Sequence, residues 1–144
     1  MAHYKQGKFK PEYPEKYSGD ASNIIYRSGW ELSVMKWLDK NQNVEAWSSE
    51  EIFIYYRHPL SNTMRRYFPD FLVKFKEPAK IVLFEVKPAA QAGLVKKKKL
   101  KRQSKKRLQE EMTIAVNKAK FAAAKELCEK KGWEFQIITE YDLN

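Results

Sequence analysis

The segment of residues 67–88, YFPDFLVKFKEPAKIVLFEVKP, constrains the fold more than any other part of the sequence. It contains two apolar runs of strand length that are rich in aromatic and β-branched residues. Residues 76–79 separate the runs and have the length of a common hairpin turn. With this turn, Asp70 lies directly opposite Glu85 on the neighbouring strand. The sequence therefore predicts a β-hairpin that brings these two carboxylates together.

The predicted register separates the apolar side chains from the charged ones. Side chains that lie directly opposite each other share one face of a hairpin. One face is then entirely apolar and carries Phe71, Val73, Phe75, Val82, Phe84 and Val86. The other face carries Asp70, Leu72, Glu85 and Lys87. A shift by one residue would place charge within the apolar face, so the pattern favours this register.

Two carboxylates in this arrangement require a compensating charge. Cross-strand neighbours have Cβ atoms roughly 5 Å apart, and like charges at that distance destabilise a sheet. A divalent cation offsets the repulsion, since Mg²⁺ binds one or two protein carboxylates while keeping water and phosphate oxygens as its other ligands. Lys87 shares the face of Asp70 and Glu85 and could hold or deprotonate an attacking water as a phosphodiester bond is cleaved. The segment therefore predicts a magnesium-dependent hydrolytic site.

A structural explanation of the same charges is also open. Asp70 could cap a turn next to Pro69, and Glu85 could form an ordinary ion pair with Lys87 on a solvated sheet face. We favour the metal site because the three charges converge at the apolar centre of the sequence.

The remaining sequence predicts an α/β domain around this hairpin. The predicted elements are a helix over 24–40 capped by Ser22 or Asn23, a strand over 51–57, a helix over 108–131 ended by Gly132, and a strand over 133–140. This order predicts a small mixed β-sheet flanked by helices, whose last strand follows a helical crossover. Residues 1–20 predict an N-terminal extended arm, and residues 21–144 a single domain.

Charge and cysteine content narrow the setting in which the protein works. The net charge of +10 favours a polyanionic partner such as nucleic acid or an anionic membrane surface. No apolar run approaches the roughly 20 residues that span a bilayer, and the N-terminus lacks the apolar core of a signal peptide. Cys128 is the only cysteine, which excludes an intrachain disulfide and a cysteine-based zinc cluster. We therefore expect a cytoplasmic, magnesium-rich setting and no membrane partner.

Residues 92–107 form a strongly basic segment. Lys or Arg fills nine of the twelve positions from 96 to 107. They are Lys96, Lys97, Lys98, Lys99, Lys101, Arg102, Lys105, Lys106 and Arg107. Such a segment is either solvated or binds phosphates, and phosphate contacts carry no sequence specificity. Arg65, Arg66 and Tyr67 lead into Asp70 and could contact DNA near the cut site or could equally form an exposed strand end.

The charged residues of the hairpin also form a known motif. Pro69-Asp70, fourteen intervening residues and Glu85-Val86-Lys87 resemble the PD-(D/E)XK nuclease signature. The wider segments YRSGWELSVMKWLD, RRYFPDFLVKF, FEVKPAAQ and GWEFQIITE resemble the head-completion nuclease family of T-even-like bacteriophages, and more distantly the N-terminal catalytic domain of TnsA transposon endonucleases. The resemblance extends from about residue 18 to the end of the chain. It implies a restriction-endonuclease-like core.

The resemblance also implies a role for each matching residue of the hairpin. The resemblance implies that Asp70 and Glu85 are catalytic metal ligands and that Lys87 is the catalytic lysine. The backbone carbonyl of Val86 matches a further ligand that is common in the superfamily.

Two matching residues lie outside the hairpin. Glu31, in YRSGWE, matches an acidic residue that such nucleases place on the first core helix, which implies a further metal ligand and a catalytic role. Without the resemblance, an i,i+4 ion pair with Arg27 would explain Glu31. Gln91 matches a position near the site to which no specific role is assigned. The lysine-rich insertion after Gln91 departs from the family pattern.

The resemblance implies a Mg²⁺-dependent DNA endonuclease, with Mn²⁺ as a substitute ion, that acts as a phage head-completion protein on DNA ends or on the packaged genome. We expect DNA and the phage portal or neck proteins as partners, in the host cytoplasm and in association with the virion. Two alternatives remain open. One is a catalytically silent DNA-binding or structural component of the phage head or neck, and the other is a transposase-like endonuclease subunit. The oligomeric state is left open.

Overall fold

The computed structural model describes residues 6–94 and 104–143, which contain eight strands and two α-helices. In chain order they are β1 (Gly7–Phe9), β2 (Ile24–Tyr26), α1 (Gly29–Lys40), β3 (Val44–Ser49), β4 (Ile54–Arg57), β5 (Met64–Tyr67), β6 (Phe71–Phe75), β7 (Lys80–Val86), α2 (Lys105–Lys131) and β8 (Glu134–Ile138). None of the helices in these two ranges is long and apolar enough to cross a membrane.

A four-stranded mixed sheet lies at the centre, in the strand order β3-β6-β7-β8. The first three strands pair antiparallel, and β7 and β8 pair parallel. A parallel pair needs a crossover connection, which α2 supplies. The α/β class, the mixed sheet and the helical crossover are therefore confirmed.

The β6–β7 hairpin has the predicted register. Phe71 pairs with Phe84 and Phe75 pairs with Lys80, so residues 76–79 form the turn. The predicted apolar face lies in the main core together with Trp47 of β3. The register prediction is therefore confirmed.

Both faces of the central sheet are covered by other parts of the chain. The apolar face packs against α1, whose Met35 and Leu38 are fully buried. The opposite face lies beneath α2, where Leu83 packs with Ala124 and Cys128. As a result, β7 is buried through most of its length, including its one carboxylate. Burial on both faces is the physical reason that a charge on β7 requires a partner.

The first helix begins later than the sequence predicted. Residues 24–26 form β2, which pairs antiparallel with β1, and α1 begins at Gly29. Ser28 is the N-cap, because its Oγ accepts the N–H of Glu31 at 3.1 Å. The predicted caps Ser22 and Asn23 were wrong. A serine with extended backbone three residues before a glutamate is a stronger helix start than either.

Two further differences concern the strands. The sequence prediction missed β3, an edge strand that pairs with β6. The strand predicted over 51–57 is shorter and forms β4, which pairs with β5 in a separate two-stranded sheet. This β4–β5 hairpin packs against α2 through Ile54, Tyr56 and Tyr67. The β4–β5 hairpin therefore lies against α2, beside the central sheet.

The second helix is close to its predicted bounds. It begins at Lys105, where Ser104 accepts the N–H of Arg107 at 3.1 Å, and it ends at Gly132. Gly132 has φ of 73°, a left-handed conformation that glycine adopts without steric cost. The predicted helix end is confirmed.

The described part of the predicted N-terminal arm packs on the domain. Phe9 and Tyr17 are buried in the main core. The Nζ atom of Lys16 donates to the carbonyls of Leu38, Asp39 and Asn41, each at 2.8 Å. This segment therefore covers the C-terminal end of α1. The division of the chain at residue 20 stays a prediction.

Candidate active site

Asp70 and Glu85 lie side by side at one end of the β6–β7 hairpin. The N–H of Asp70 donates to Oε1 of Glu85 at 3.3 Å, and the N–H of Val86 donates to Oδ2 of Asp70 at 2.7 Å. Each carboxylate is therefore tied to the backbone of the opposite strand. Hairpin register produces this reciprocal arrangement, because Asp70 directly precedes β6 and Glu85 is the penultimate residue of β7.

Glu85 is the buried member of the pair, with 3% of its surface exposed. The hydroxyl of Tyr67 donates to Oε1 at 2.7 Å, and Nζ of Lys87 lies 3.7 Å from Oε2. Burial nevertheless raises the pKa of Glu85, although Lys87, the Tyr67 hydroxyl and the Asp70 N–H act in the opposite direction. The partners thus stabilise the carboxylate without fully offsetting its loss of solvent.

The pKa of Asp70 is raised well above its usual value. Burial is the largest cause, and the neighbouring charge of Glu85 is the second. The Val86 N–H and Lys87 lower it, whereas the charge of Glu31 raises it further. Two ionised carboxylates at this site are therefore unfavourable without an added cation.

The atoms left over at this pair suit a divalent cation. Among the described residues, Oδ1 of Asp70 accepts no hydrogen bond, and Oε2 of Glu85 accepts none and has Lys87 as its ion-pair partner. Carboxylate oxygens are the ligands that Mg²⁺ prefers, and one or two of them suffice when waters complete the shell. Within residues 6–94 and 104–143, no three His, Cys, Asp or Glu side chains gather into a metal-binding group. The pair therefore fits an ion held by two carboxylates and water.

Glu31 lies in the first turn of α1 and does not complete a three-acid cluster with the pair. Its Oε1 accepts the N–H of Arg27 at 3.3 Å, and burial is the largest cause that raises its pKa. The alternative ion pair between Arg27 and Glu31 is wrong, because the guanidinium of Arg27 pairs with Glu50. The ligand role of Glu31 stays a prediction.

A second lysine, Lys120 of α2, lies near the site. Its Nζ atom lies 5.8 Å from the ring centre of Tyr56 and 5.7 Å from that of Tyr67. Burial and the charge of Lys87 lower the pKa of Lys120, while Glu85 and Asp70 raise it. The carboxylate pair thus has two cationic side chains within electrostatic range.

A groove of about 380 Å³ lies between α2 and the chain that follows β7. Its polar lining includes His58, Lys87, Gln91, Asn117 and Lys120, and no acidic residue. The side-chain amide of Asn117 donates to the carbonyl of Gln91 at 2.9 Å, which fixes this turn to α2. Such a groove is suited to an anionic ligand.

The other described residues that were predicted to bind DNA lie on β5 and at the start of α2. Arg65 and Arg66 are exposed on β5, where Arg65 donates to Oγ of Ser61 at 3.3 Å. Lys105, Lys106 and Arg107 form the first turn of α2, and Arg107 donates to Glu111 at 3.2 Å. The remaining predicted residues, Lys96, Lys97, Lys98, Lys99, Lys101 and Arg102, lie outside the described residues.

Comparison with known proteins identifies the family. The model of the TnsA-like endonuclease N-terminal family matches residues 41–140, which include the hairpin and both lysines of the site. The chain is also 40% identical over 136 residues to the head completion nuclease of Enterobacteria phage T4, which covers 93% of this chain and 90% of that protein. The chain belongs to the TnsA-like endonuclease family. The family resemblance predicted from the motif is therefore confirmed.

Membership in the TnsA-like family separates the site residues into two groups. Asp70, Glu85, Val86, Lys87 and Gln91 lie within the matched residues. Glu31 lies before the matched residues. The alignment to the phage relative covers 93% of the chain and so includes Glu31.

Sequence reasoning did not identify two contacts of the carboxylate pair, which are the hydrogen bond from Tyr67 to Glu85 and the approach of Lys120. Tyr67 could have been found from the sequence, because it lies only three residues before Asp70. Lys120 could not, because its approach depends on how α2 packs on the β4–β5 hairpin.

Proposed function

We propose that this protein is a divalent-metal-dependent DNA endonuclease with a restriction-endonuclease-like, PD-(D/E)XK core. The observation that carries the proposal is the pair of carboxylates on Asp70 and Glu85, joined by reciprocal backbone hydrogen bonds next to Lys87. Membership in an endonuclease family and a relative named as a nuclease support it. The net charge of +10 supports a nucleic acid as the substrate.

Asp70, Glu85 and the carbonyl of Val86 would hold the ion. Mg²⁺, or Mn²⁺ in its place, supplies charge stabilisation to the phosphate and lowers the pKa of water. The Val86 N–H and the Tyr67 hydroxyl each occupy one oxygen of a carboxylate and so orient the other oxygen. Preorganised ligands of this kind need no rearrangement when substrate binds.

Lys87 would orient the attacking water and balance the negative charge that develops on the scissile phosphate. Its Nζ atom is 3.7 Å from Glu85, close enough to act at the same phosphate. Lys120 would contact a neighbouring phosphate from the groove beneath α2. Hydrolysis would proceed by in-line attack on the phosphodiester.

Glu31 would act as a further ligand when DNA and metal are both bound. The influence of its charge on the pKa of Asp70 supports this, because it places the two carboxylates within electrostatic range. Arg65, Arg66 and the basic residues of 96–107 would contact phosphates along the DNA.

The biological role that we propose is phage head completion, in which the enzyme acts on DNA ends or on the packaged genome. It would work in the host cytoplasm and in association with the virion, with portal or neck proteins as partners. The whole-length similarity to the head completion nuclease of phage T4 supports this role. The match to the TnsA-like family favours one second candidate, which is an endonuclease subunit of a transposase-like complex.

The decisive experiment is a nicking assay on supercoiled plasmid DNA in Mg²⁺, in Mn²⁺ and in EDTA. We expect wild-type protein to nick only with a divalent ion. We expect Lys87→Ala to lose nicking and retain DNA binding. Lys76→Ala is the matched control, because Lys76 is an exposed lysine in the turn at the other end of the same hairpin.

Absence of cleavage by the wild type under all these conditions would overturn the enzymatic proposal and favour a catalytically silent DNA-binding or structural component. Cleavage that appears only with a co-purified second subunit would favour the transposase-like candidate.

A further inference from the structure

The outer face of the β4–β5 hairpin carries an exposed cluster of aromatic side chains around one arginine. We define this cluster as the aromatic platform, consisting of Phe53, Tyr55, Arg66 and Phe68. The three rings have exposed fractions of 44%, 60% and 42% in that order. An exposed group of large apolar side chains is uncommon on a soluble protein surface and marks an interaction site more often than a single exposed ring does.

The members of the platform contact one another and form a continuous surface. The Phe53 ring lies 5.2 Å from the Tyr55 ring and 5.9 Å from the Phe68 ring, measured between ring centres. The guanidinium of Arg66 lies over both phenylalanines, at 5.5 Å from Phe53 and 5.9 Å from Phe68. The Arg66 guanidinium is thus within cation–π distance of two rings that also contact each other.

The fold does not need these rings for its core. Ile54, Tyr56 and Tyr67 alternate with the platform residues and provide the buried contacts to α2. Alternation along β4 and β5 places Phe53, Tyr55, Arg66 and Phe68 on the opposite face. Their exposure therefore calls for a ligand rather than a packing explanation.

The charge of this face suits an anionic ligand. Positions on the outer face of the hairpin include Arg57 and Arg66 and no acidic residue. In the part of the chain that the structure describes, no carboxylate lies within ion-pair distance of Arg66. Its donors are therefore available to a phosphate or to a base.

The platform lies directly next to the candidate active site along the chain. Phe68 precedes Asp70 by two residues, which limits the distance between their Cα atoms to about 7 Å. Tyr67, the residue directly before Phe68, faces the other side of the β4–β5 hairpin and donates to Glu85. A nucleotide seated on Phe68 would therefore be close to the bond that is cleaved.

We propose that the aromatic platform binds unpaired bases of single-stranded DNA by stacking and leads that strand to the Asp70–Glu85 pair. The inference rests on the proposed nuclease function and specifies its substrate as DNA with an unpaired segment. Aromatic rings bind single strands regardless of sequence, because every base has a π-face. Duplex DNA does not offer these faces, since its bases are stacked on one another.

The test measures binding in EDTA, where no cleavage occurs, by fluorescence anisotropy of labelled single strands of about 12 nucleotides. One strand has ordinary bases, and the other has the same phosphates with abasic sites. We expect the wild type to prefer the strand with bases. In the double variant Phe53→Ala, Phe68→Ala, we expect affinity for that strand to fall by about ten- to a hundredfold, with affinity for the abasic strand nearly unchanged.

Two further variants control for folding and for charge. Tyr13→Ala removes a ring of similar exposure, 46%, from the other end of the molecule near the end of α1, and it should leave both affinities unchanged. Arg66→Gln keeps the rings, so it should weaken binding of both strands and reduce the salt slope of single-strand binding by about 0.7. Circular dichroism and thermal melting of each variant confirm that the fold is retained.

The proposal would be overturned if the wild type bound the two strands equally, or if the double variant kept the same preference for bases. Either result would favour a protein as the partner of the platform. The proposed function is judged separately by plasmid nicking in Mg²⁺. A wild type that prefers bases and never cleaves would retain the platform as a DNA-binding surface while the nuclease proposal fails.

Discussion

Buried charges occur near both ends of α1, and the two groups differ in how their charges are satisfied. Near the C-terminal end, Asp39 is 2% exposed, and both of its oxygens accept backbone N–H groups, from Glu12 at 2.8 Å and Tyr13 at 3.1 Å. Lys16 donates to three carbonyls at the same helix end. Every one of these polar atoms has a partner within the chain.

Near the N-terminal end, where Glu31 lies, the balance is different. Asp70 and Glu85 place two acidic groups together, and burial raises the pKa of both. Lys87 is the one cation within ion-pair distance of Glu85 among the described residues. Asp70 has no cation within ion-pair distance among the described residues, so its charge is satisfied less completely than that of Asp39 or Lys16.

The difference separates structural charge from functional charge. A buried ion that is fully hydrogen-bonded by its own chain stabilises a particular packing, as Lys16 and Asp39 do for the N-terminal segment. A pair of like charges that lacks a counter-ion costs stability and persists where an external ligand completes it. Substitutions that remove charge should therefore have opposite effects at the two places.

The largest expected effect comes from Asp70→Asn. Under the proposed function we expect cleavage to fall at least about a thousandfold, because the substitution would remove a ligand charge for the ion, whose catalysis contributes several kcal/mol. The free energy of unfolding of the metal-free protein should rise by about 1 kcal/mol, since the amide still accepts a hydrogen bond and the like charge is gone. Plasmid nicking and urea denaturation in EDTA measure the two quantities.

The matched variant for that comparison is Asp39→Asn. It should leave nicking nearly unchanged and lower the free energy of unfolding by about 1–3 kcal/mol, because a charged acceptor of two backbone N–H groups is weakened. Equal destabilisation by the two substitutions would show that the Asp70–Glu85 pair is structural.

Lys16→Met tests the structural cluster from its cationic side. The substitution keeps the length of the side chain and removes three donors to carbonyls at the C-terminal end of α1, where a positive charge is also favoured by the helix dipole. We expect a loss of about 2 kcal/mol in the free energy of unfolding. Lys40→Met is the control, because the exposed Lys40 lies in the same region and contacts Glu12 only at 3.8 Å. Similar losses for both variants would contradict the role given to Lys16.

The β6–β7 hairpin could be predicted from the sequence because the residues that determine its register lie close together in the chain. Turn length and alternation of apolar and charged residues fix the register, and the register brings Asp70 to Glu85. Gly132 was predictable for the same reason, since a glycine after a helical run is a local stop signal. These features required no knowledge of distant contacts.

The features that the sequence did not predict depend on contacts between residues that are far apart in the chain. Residues 24–26 fit a helix as well as a strand, and their pairing with β1 decided between the two. The approach of Lys120 to Tyr67 joins residues that are far apart in the chain. Contacts of this kind depend on tertiary packing, which leaves no pattern in either segment.

Substitution of Lys120 tests phosphate binding at the site more specifically than substitution of the motif residues does. Lys120→Gln should lower kcat/KM for DNA about tenfold and reduce the salt slope of duplex binding by about 0.9, as expected when one phosphate contact is lost. Lys125→Gln on the exposed side of the same helix is the control and should change neither. A salt slope that is unchanged in Lys120→Gln, with normal folding, would exclude the phosphate contact.

The smallest expected effect is a pH dependence of stability at the carboxylate pair. Folding raises the pKa of Asp70 and Glu85, so above their unfolded values of roughly 4 the native state binds more protons than the unfolded state. Stability therefore falls as pH rises from there through the raised pKa values, and Mg²⁺ should restore most of the loss. We expect the melting temperature of Asp70→Asn minus that of the wild type, measured in EDTA, to increase between about pH 5 and 8. Addition of Mg²⁺ should shrink this difference, because the ion supplies in the wild type the charge that the substitution makes unnecessary. A difference that is constant with pH would mean that folding does not raise the pKa of either carboxylate, and the contrast between the two groups of buried charge would be lost.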